Sequence, residues 1–417
     1  MGIGQRLARY AEYGKLAVKV GASWTDRLEQ AREVASSLGK LRGAAMKFGQ
    51  TIAVAAEHLD VPEEVRQALG SLHSQGEPVP WDSIRGVVTR ELGPISKRFA
   101  TFDEKPLGTA SLAQAHAATL PDGTPVVVKV LHDGVEESVE ADLSAFRALL
   151  AAWRLTGRDR GEVDDLVAEV RERLREELDY GHEAANIEAF VAIYGDDPRI
   201  RIPRVHREWS TSRVLTLDRL PGRPIEAFAA DASDEARIRA GLNLAELFFE
   251  QAFCHRMLHA DPHPGNYLFE ADGRIGLLDF GCVKRFSAPS MSAYMRIVRC
   301  ALENDRAGAL QATRDFGAWN GDTPAAGDAV WAFCDAVVGP WRNGPYQVGA
   351  DDDRLIERVH PAVKQMWAHA EIRGPRDVIF LHRTLAGIYG LGRKLKVKAD
   401  WKEIVLEQVR RAEHAAA

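Results

Sequence analysis

The run His259-Ala-Asp-Pro-His-Pro-Gly-Asn266, followed by Leu277-Leu-Asp-Phe-Gly281, places an Asp, an Asn five residues on and then Asp-Phe-Gly in one stretch. Phosphoryl transfer needs such a set: hard oxygen ligands for Mg²⁺ beside the β- and γ-phosphates, and a carboxylate near the attacking hydroxyl. The spacing assigns Asn266 and Asp279 to the metal and Asp261 to orienting the nucleophile or accepting its proton. Gly281 lets the chain turn after Asp279, and Phe280 packs inward. Two other readings compete. Asp261 and Asn266 could cap helices or turns. His259, Asp261 and His263, at alternating positions, could offer three ligands to a transition metal. Against that second reading, Pro262 and Pro264 stiffen the loop and no distant Cys or His cluster completes the shell.

Lys129 sits inside the apolar run Val126-Val-Val-Lys-Val130. A lysine there is either at a sheet edge with its stem snorkelling or an active-site cation. With the Asp-Phe-Gly segment downstream, its place matches a strand lysine that pairs with the α- and β-phosphates. Its carboxylate partner belongs on the following helix, with Glu183 the first choice and Glu177 the second. Asp179 and Glu183 are four apart and share a helical face, which Glu177 does not. Upstream, Pro106-Leu-Gly-Thr-Ala-Ser-Leu-Ala-Gln114 stands where a phosphate loop would be. It has one glycine, so its backbone has fewer conformations than a glycine-rich loop. Gly108, Thr109, Ala110 and Ser111 are its candidate phosphate contacts, a plain hairpin entry being the competing reading. Asp218, next after the strand-like run 213–217, completes the candidate nucleotide-contacting set. In Lys47-Phe48-Gly49-Gln50, Lys47 and Gln50 share a helix face, which alone carries no functional reading.

The elements that must position these residues follow from periodicity. Residues 24–92 read as helices, with Leu28, Ala31, Val34, Ala35 and Leu38 at three- and four-residue spacing and Gly39 as a C-cap. Residues 112–116 and 124–131 read as strands around Pro121-Asp-Gly123, a hairpin signal. A long charged helix is expected over 162–191, then strands over 200–205 and 213–217. A helix is expected over 234–257, then a second hairpin, 267–269 with 275–278, around Asp272-Gly273. The chain beyond Pro289 reads as helical.

The chain has 417 residues, 46% apolar and 27% charged, with a net charge of −6. That is a globular balance with ample core and no electrostatic footprint for nucleic acid. Cys254, Cys282, Cys300 and Cys334 form no C-x-x-C pair, which argues against a disulfide framework and for a reducing compartment. Residues 1–10 carry no hydrophobic signal region. The longest semi-apolar stretch, 143–155, is too short to span a bilayer. A cytoplasmic protein without a transmembrane helix is expected, with peripheral contact at the inner face of the membrane left open.

Taken together, these segments resemble the UbiB (AarF-domain) atypical kinase-like family. The resemblance rests on Lys47-x-Gly-Gln50, Gly108-Thr-Ala-Ser111 in place of an alanine-rich loop, Lys129, Glu177-Leu-Asp179, Glu183, Asp261, Asn266 and Asp279, in the family's order. It implies an α+β, bilobal protein-kinase-like fold: an N-terminal helical extension (1–98), a small β-rich lobe (99–222) and a mostly helical lobe (223–417). It also implies that the extension folds over the site, with Lys47 and Gln50 pointing in and Lys47 near Glu177 or Asp179. ATP and Mg²⁺ are the implied cofactors. The implied activity is that of an ATPase or small-molecule kinase supporting ubiquinone or other isoprenoid-lipid metabolism, with a lipid or quinone precursor as partner. The alternatives are an aminoglycoside- or choline-kinase-like phosphotransferase and a non-catalytic nucleotide-binding scaffold. In the loop, Gly108 and Thr109 replace two of the family's alanines.

Overall fold

The computed structural model describes residues 78–110, 112–137, 140, 171, 178–372 and 376–416. The helices expected between 24 and 77, half of that expected over 162–191, and the candidates Lys47, Gln50, Ser111 and Glu177 lie outside the described residues. In chain order come α1 (Trp81–Leu92), β1 (Thr101–Thr109), β2 (Ala113–Thr119), β3 (Pro125–Leu131), α2 (Tyr180–Tyr194), β4 (Ile200–Arg201) and β5 (Val214–Asp218). Next are α3 (Ile225–Asp231), α4 (Asp234–Phe249), β6 (Met257–His259), β7 (Tyr267–Phe269), β8 (Ile275–Leu277) and β9 (Val283–Arg285). Then follow α5 (Ala288–Leu302), α6 (Arg306–Asp315), α7 (Pro324–Val338), β10 (Tyr346–Gln347), α8 (Leu355–Trp367), α9 (Arg376–Leu395), β11 (Lys398–Ala399) and α10 (Trp401–Ala416). The described residues divide into two compact units. One ends at Glu188 and takes in Arg204–Arg219, and the other holds Ala189–Pro203 and everything from Leu220 on.

The first unit is built on an antiparallel sheet of order β1-β2-β3-β5. Side chains alternate across a strand, so Val126, Val128 and Val130 of β3 fall on one face and are fully buried. They pack with Ile84, Val87 and Val88 of α1, which share a helical stripe. Each such side chain contributes about 1.5–3 kcal/mol by leaving water. The same alternation turns Lys129 to the opposite face. β3 lies between β2 and β5, so Lys129 is not on an edge strand and the snorkelling explanation fails. The turn between β2 and β3 is the Asp-Gly one: Asp122 Oδ1 accepts from Thr124 N at 2.9 Å.

In the second unit, Ser233 caps α4 by accepting from Ala236 N at 3.2 Å. The helix expected over 234–257 is shorter than that. α4 stops at Phe249, a π turn spans Glu250–Cys254, Arg256 takes a left-handed φ of 52°, and Met257 already begins a strand. The apolar residues that suggested continued helix are buried in the π turn and in β6 instead. A π turn repositions side chains by one residue relative to the α register. Here Glu250 meets Arg199 at 2.9 Å and Gln251 Oε1 accepts from His259 N at 3.0 Å. β6 pairs with β9, and β7 with β8, all antiparallel, while β4 joins β8 in parallel. The strand expected over 200–205 is only Ile200–Arg201, with Val205 bridging Leu217 separately. Gly273 closes the β7–β8 turn at a φ of +85°. A Cβ there would sit 2.6 Å from the Ala236 carbonyl oxygen, so only glycine serves. The helical texture beyond Pro289 holds, with the addition of a β10–β11 pair. Among the described residues no helix is long and apolar enough to cross a membrane.

Candidate functional site

In the first unit, Lys129 Nζ donates to Glu183 Oε1 at 2.6 Å. β3 supplies the lysine and the first turn of α2 the carboxylate. Glu183 is buried, and a buried carboxylate needs such a partner. Asp179 precedes α2 and accepts from Gly181 N at 2.8 Å, so it caps the helix that carries Glu183. Asp218, the last residue of β5, accepts from His206 Nε2 at 2.8 Å and from Arg204 N at 3.2 Å. Both its oxygens are thus engaged within the unit.

Gly108 and Thr109 belong to β1, opposite Ala115 and Gln114. Register shifts interrupt that pairing between Phe102 and Pro106 and again between Pro106 and Gly108. Ala110 N donates to Ala113 O at 2.8 Å, which closes a tight hairpin tip. Gly108 is not among the positive-φ glycines, and a Cβ on it would meet nothing within 4 Å. Its conformational freedom is therefore not used, in contrast to a phosphate loop built on glycines.

In the second unit, Asp261 and Asn266 lie in the segment joining β6 to β7, and Asp279 in the one joining β8 to β9. Asn266 Nδ2 donates to Asp261 Oδ2 at 2.8 Å and to the Asp261 carbonyl at 3.3 Å. Leu278 N donates to the Asn266 carbonyl at 3.1 Å, which ties the two segments together next to Asp279. Asp279 Oδ1 accepts from Gly281 N at 2.9 Å. A carboxylate and an amide carbonyl are hard oxygen donors that suit Mg²⁺. With the Asn266 nitrogen committed to Asp261, its carbonyl is the end that can serve a cation.

His259 does not join this set as a metal ligand. It is 2% exposed, its Nε2 donates to the Asp279 carbonyl, and its ring stands edge-on to Phe280 at 5.2 Å. Burial pushes its pKa down, against the opposing charge of Asp261. His263 Nδ1 accepts from Gly265 N at 3.1 Å. Among the described residues no group of three or more His, Cys, Asp or Glu side chains is placed to hold a metal ion. The transition-metal reading therefore loses its first ligand to the core. Phe280 is fully buried against Phe190 at 5.0 Å.

Sequence reasoning missed Gln251, which orders the His259 backbone, and Arg383, whose Nη2 donates to the Ala260 carbonyl at 2.7 Å. Nothing in the local sequence around either residue marks it.

The ABC1 atypical kinase-like domain profile matches residues 71–313. The chain is 28% identical over 408 residues to the mitochondrial atypical kinase COQ8 of Saccharomyces cerevisiae, covering 92% of this chain and 81% of that protein. It is 33% identical over 284 residues to "Probable protein kinase UbiB" of Marinobacter nauticus, covering 64% of this chain and 50% of that protein. It is 38% identical over 233 residues to AarF domain-containing protein kinase 1 of Xenopus tropicalis, covering 54% of this chain and 43% of that one. Among solved structures, the Mycobacterium tuberculosis Rv3197 protein in complex with erythromycin superposes with a TM-score of 0.65 at 27% identity, over 91% of this chain and 96% of that one. The fold is thus α+β and kinase-like, with the β-sheet first and a helical body after it. By the extent of the profile match, the chain belongs to the ABC1 atypical kinase-like family.

Proposed function

We propose that the protein is a Mg²⁺-dependent, ATP-binding atypical kinase or ATPase that serves isoprenoid-lipid metabolism, such as ubiquinone synthesis, and does not phosphorylate proteins. The observation that carries this reading is the Asp261–Asn266 hydrogen bond with Asp279 tied beside it through Leu278. Asn266 and Asp279 would hold Mg²⁺, which when bound neutralises charge on the phosphates. Asp261, oriented by the Asn266 amide, would align the attacking hydroxyl or water. Lys129, held by Glu183, would meet the α- and β-phosphates, with Gly108 to Ser111 and Asp218 as further nucleotide contacts. Lys47 and Gln50, with Glu177 and Asp179, would restrict what reaches the γ-phosphate. In this reading residues 1–98 are the extension, 99–222 the nucleotide lobe and 223–417 the catalytic lobe. The lipid is met by peripheral contact at the inner face of the membrane.

The test is ADP release from Mg²⁺-ATP, with and without anionic liposomes carrying a phenolic quinone-precursor mimic. Asp279→Asn is the control. Turnover should rise with the liposomes and vanish in the variant, which stays folded. Intact turnover in Asp279→Asn would sink the metal assignment. Bound ATP with no ADP under any condition would favour a scaffold, and phosphorylation of choline or an aminoglycoside would favour a soluble phosphotransferase.

A further inference from the structure

Helix α9 grips the Asp261 segment on both sides of the aspartate. Arg383 Nη2 donates to the carbonyl of Ala260, one residue before Asp261. One turn on, Gly387 lies so close to Pro262, one residue after Asp261, that a Cβ would fall 2.3 Å from Pro262 Cγ. Residues four apart lie on one helix face, so a single face of α9 holds the loop at two points. Thr384, next to Arg383, lines a cavity of about 20 Å³ whose wall is mainly apolar, Leu244, Phe248 and Leu277 among it, with Gln251, His259, Tyr267 and Thr384 as its polar members.

Thr384 is 1% exposed and His259 2%. Thr384 Oγ1 and His259 Nδ1 are buried polar atoms with no hydrogen-bond partner among the described residues. The Nε2 of His259 faces the Asp279 carbonyl, an acceptor, so Nε2 carries the hydrogen and Nδ1 offers a lone pair. A buried acceptor without a donor is costly. An apolar wall alone would leave such a cavity dry, but unpartnered polar atoms opening on it supply the partners one water needs, and its volume is enough for one.

We infer that α9 is the positioning element of the Asp261 loop, acting through Arg383, through Gly387 and through one internal water held between Thr384 Oγ1 and His259 Nδ1. The water donates to Nδ1 and is held by the threonine hydroxyl, which fixes the imidazole that supports the Asp279 carbonyl. One helix thereby sets Asp261 through its neighbours and Asp279 through His259. The effect on turnover rests on the phosphoryl-transfer reading; the water site does not.

The test combines crystal structures of the full chain with steady-state kinetics on Thr384→Val, which keeps the shape and removes the hydroxyl, and on Thr384→Ser, which restores it. The wild type and Thr384→Ser should show one ordered water between residues 384 and 259, and Thr384→Val should show none. In Thr384→Val, kcat should fall about tenfold or more while KM for ATP stays within about twofold, and Thr384→Ser should recover it. A dry cavity in the wild type, or a water unmoved in Thr384→Val, would overturn the inference. So would a kcat unchanged in Thr384→Val, or a loss that Thr384→Ser fails to recover. A wild type without turnover defeats the functional reading alone, and the water density then decides the inference.

Discussion

Lys129 with Glu183, and Asp261 with Asn266, are expected from the sequence by type and order, and each pair is in hydrogen-bond contact. Which way each faces is not readable. His259 sits two residues from Asp261 and looks like its partner on one face of an extended chain, yet its ring is turned into the core to hold the Asp279 carbonyl. Asp179 does not share the helix of Glu183 but precedes it and spends its carboxylate on the cap. Gly108 is the instructive case. With one glycine, the candidate phosphate loop is expected to have fewer backbone conformations than a glycine-rich one. That glycine is paired in β1, without positive φ and with open space where a Cβ would go. Gly108→Ala should therefore leave the melting temperature unlowered and the Mg²⁺-ATP affinity within about twofold of wild type. A tenfold loss of affinity in isothermal titration would mean that the backbone must rearrange there to meet phosphate.

At the scale of elements, both Asp-Gly hairpins are visible in advance because the turn needs the residue that stands there: Gly123 has a φ of +90° and Gly273 one of +85°. The end of α4 is not visible, because its determinant is distant in sequence. Arg199 pairs with Asp197 at 2.7 Å, with Glu250 at 2.9 Å and with Glu246 at 3.3 Å. Its charge gathers carboxylates around the π turn, something periodicity within residues 234–257 cannot report. Burial alone would push the pKa of Glu250 up. The nearby His255 imidazole at 3.7 Å, the hydrogen bond from Arg199 and the charges of Arg199 and Arg411 outweigh it and bring it from 4.5 to about 2. A carboxylate with a lowered folded pKa contributes stability that is complete above its unfolded pKa and is lost as pH falls toward the folded one. Urea unfolding of the wild type should therefore weaken between about pH 4.5 and pH 2. Glu250→Gln should cost on the order of 3 kcal/mol at pH 7 and show a shallower fall across that acid window. A mutant with wild-type stability at pH 7 would show that the cluster is replaceable by its remaining partners.

At the scale of the whole molecule, the candidate groups are divided. Lys129 and Glu183 belong to one compact unit, and Asp261, Asn266 and Asp279 to the other. Each half is coherent by itself: a part-buried ion pair on a sheet and a helix, and a hydrogen-bonded Asp–Asn pair beside a second Asp. In the proposed function neither half would suffice alone, since a cation for the α- and β-phosphates and ligands for the metal must act on one nucleotide. Joint action has an energetic signature independent of how the units are arranged. Residues that contact a common ligand are coupled, whereas those serving separate sites have additive effects. Lys129→Met and Asp279→Asn should each weaken Mg²⁺-ATP binding, and the double variant should bind little worse than the weaker single one. The coupling energy of the cycle should be about 1–3 kcal/mol, measured by titration calorimetry at fixed Mg²⁺. Strict additivity would mean that the two sets do not meet on one nucleotide, and it would remove the basis for a single phosphoryl-transfer site.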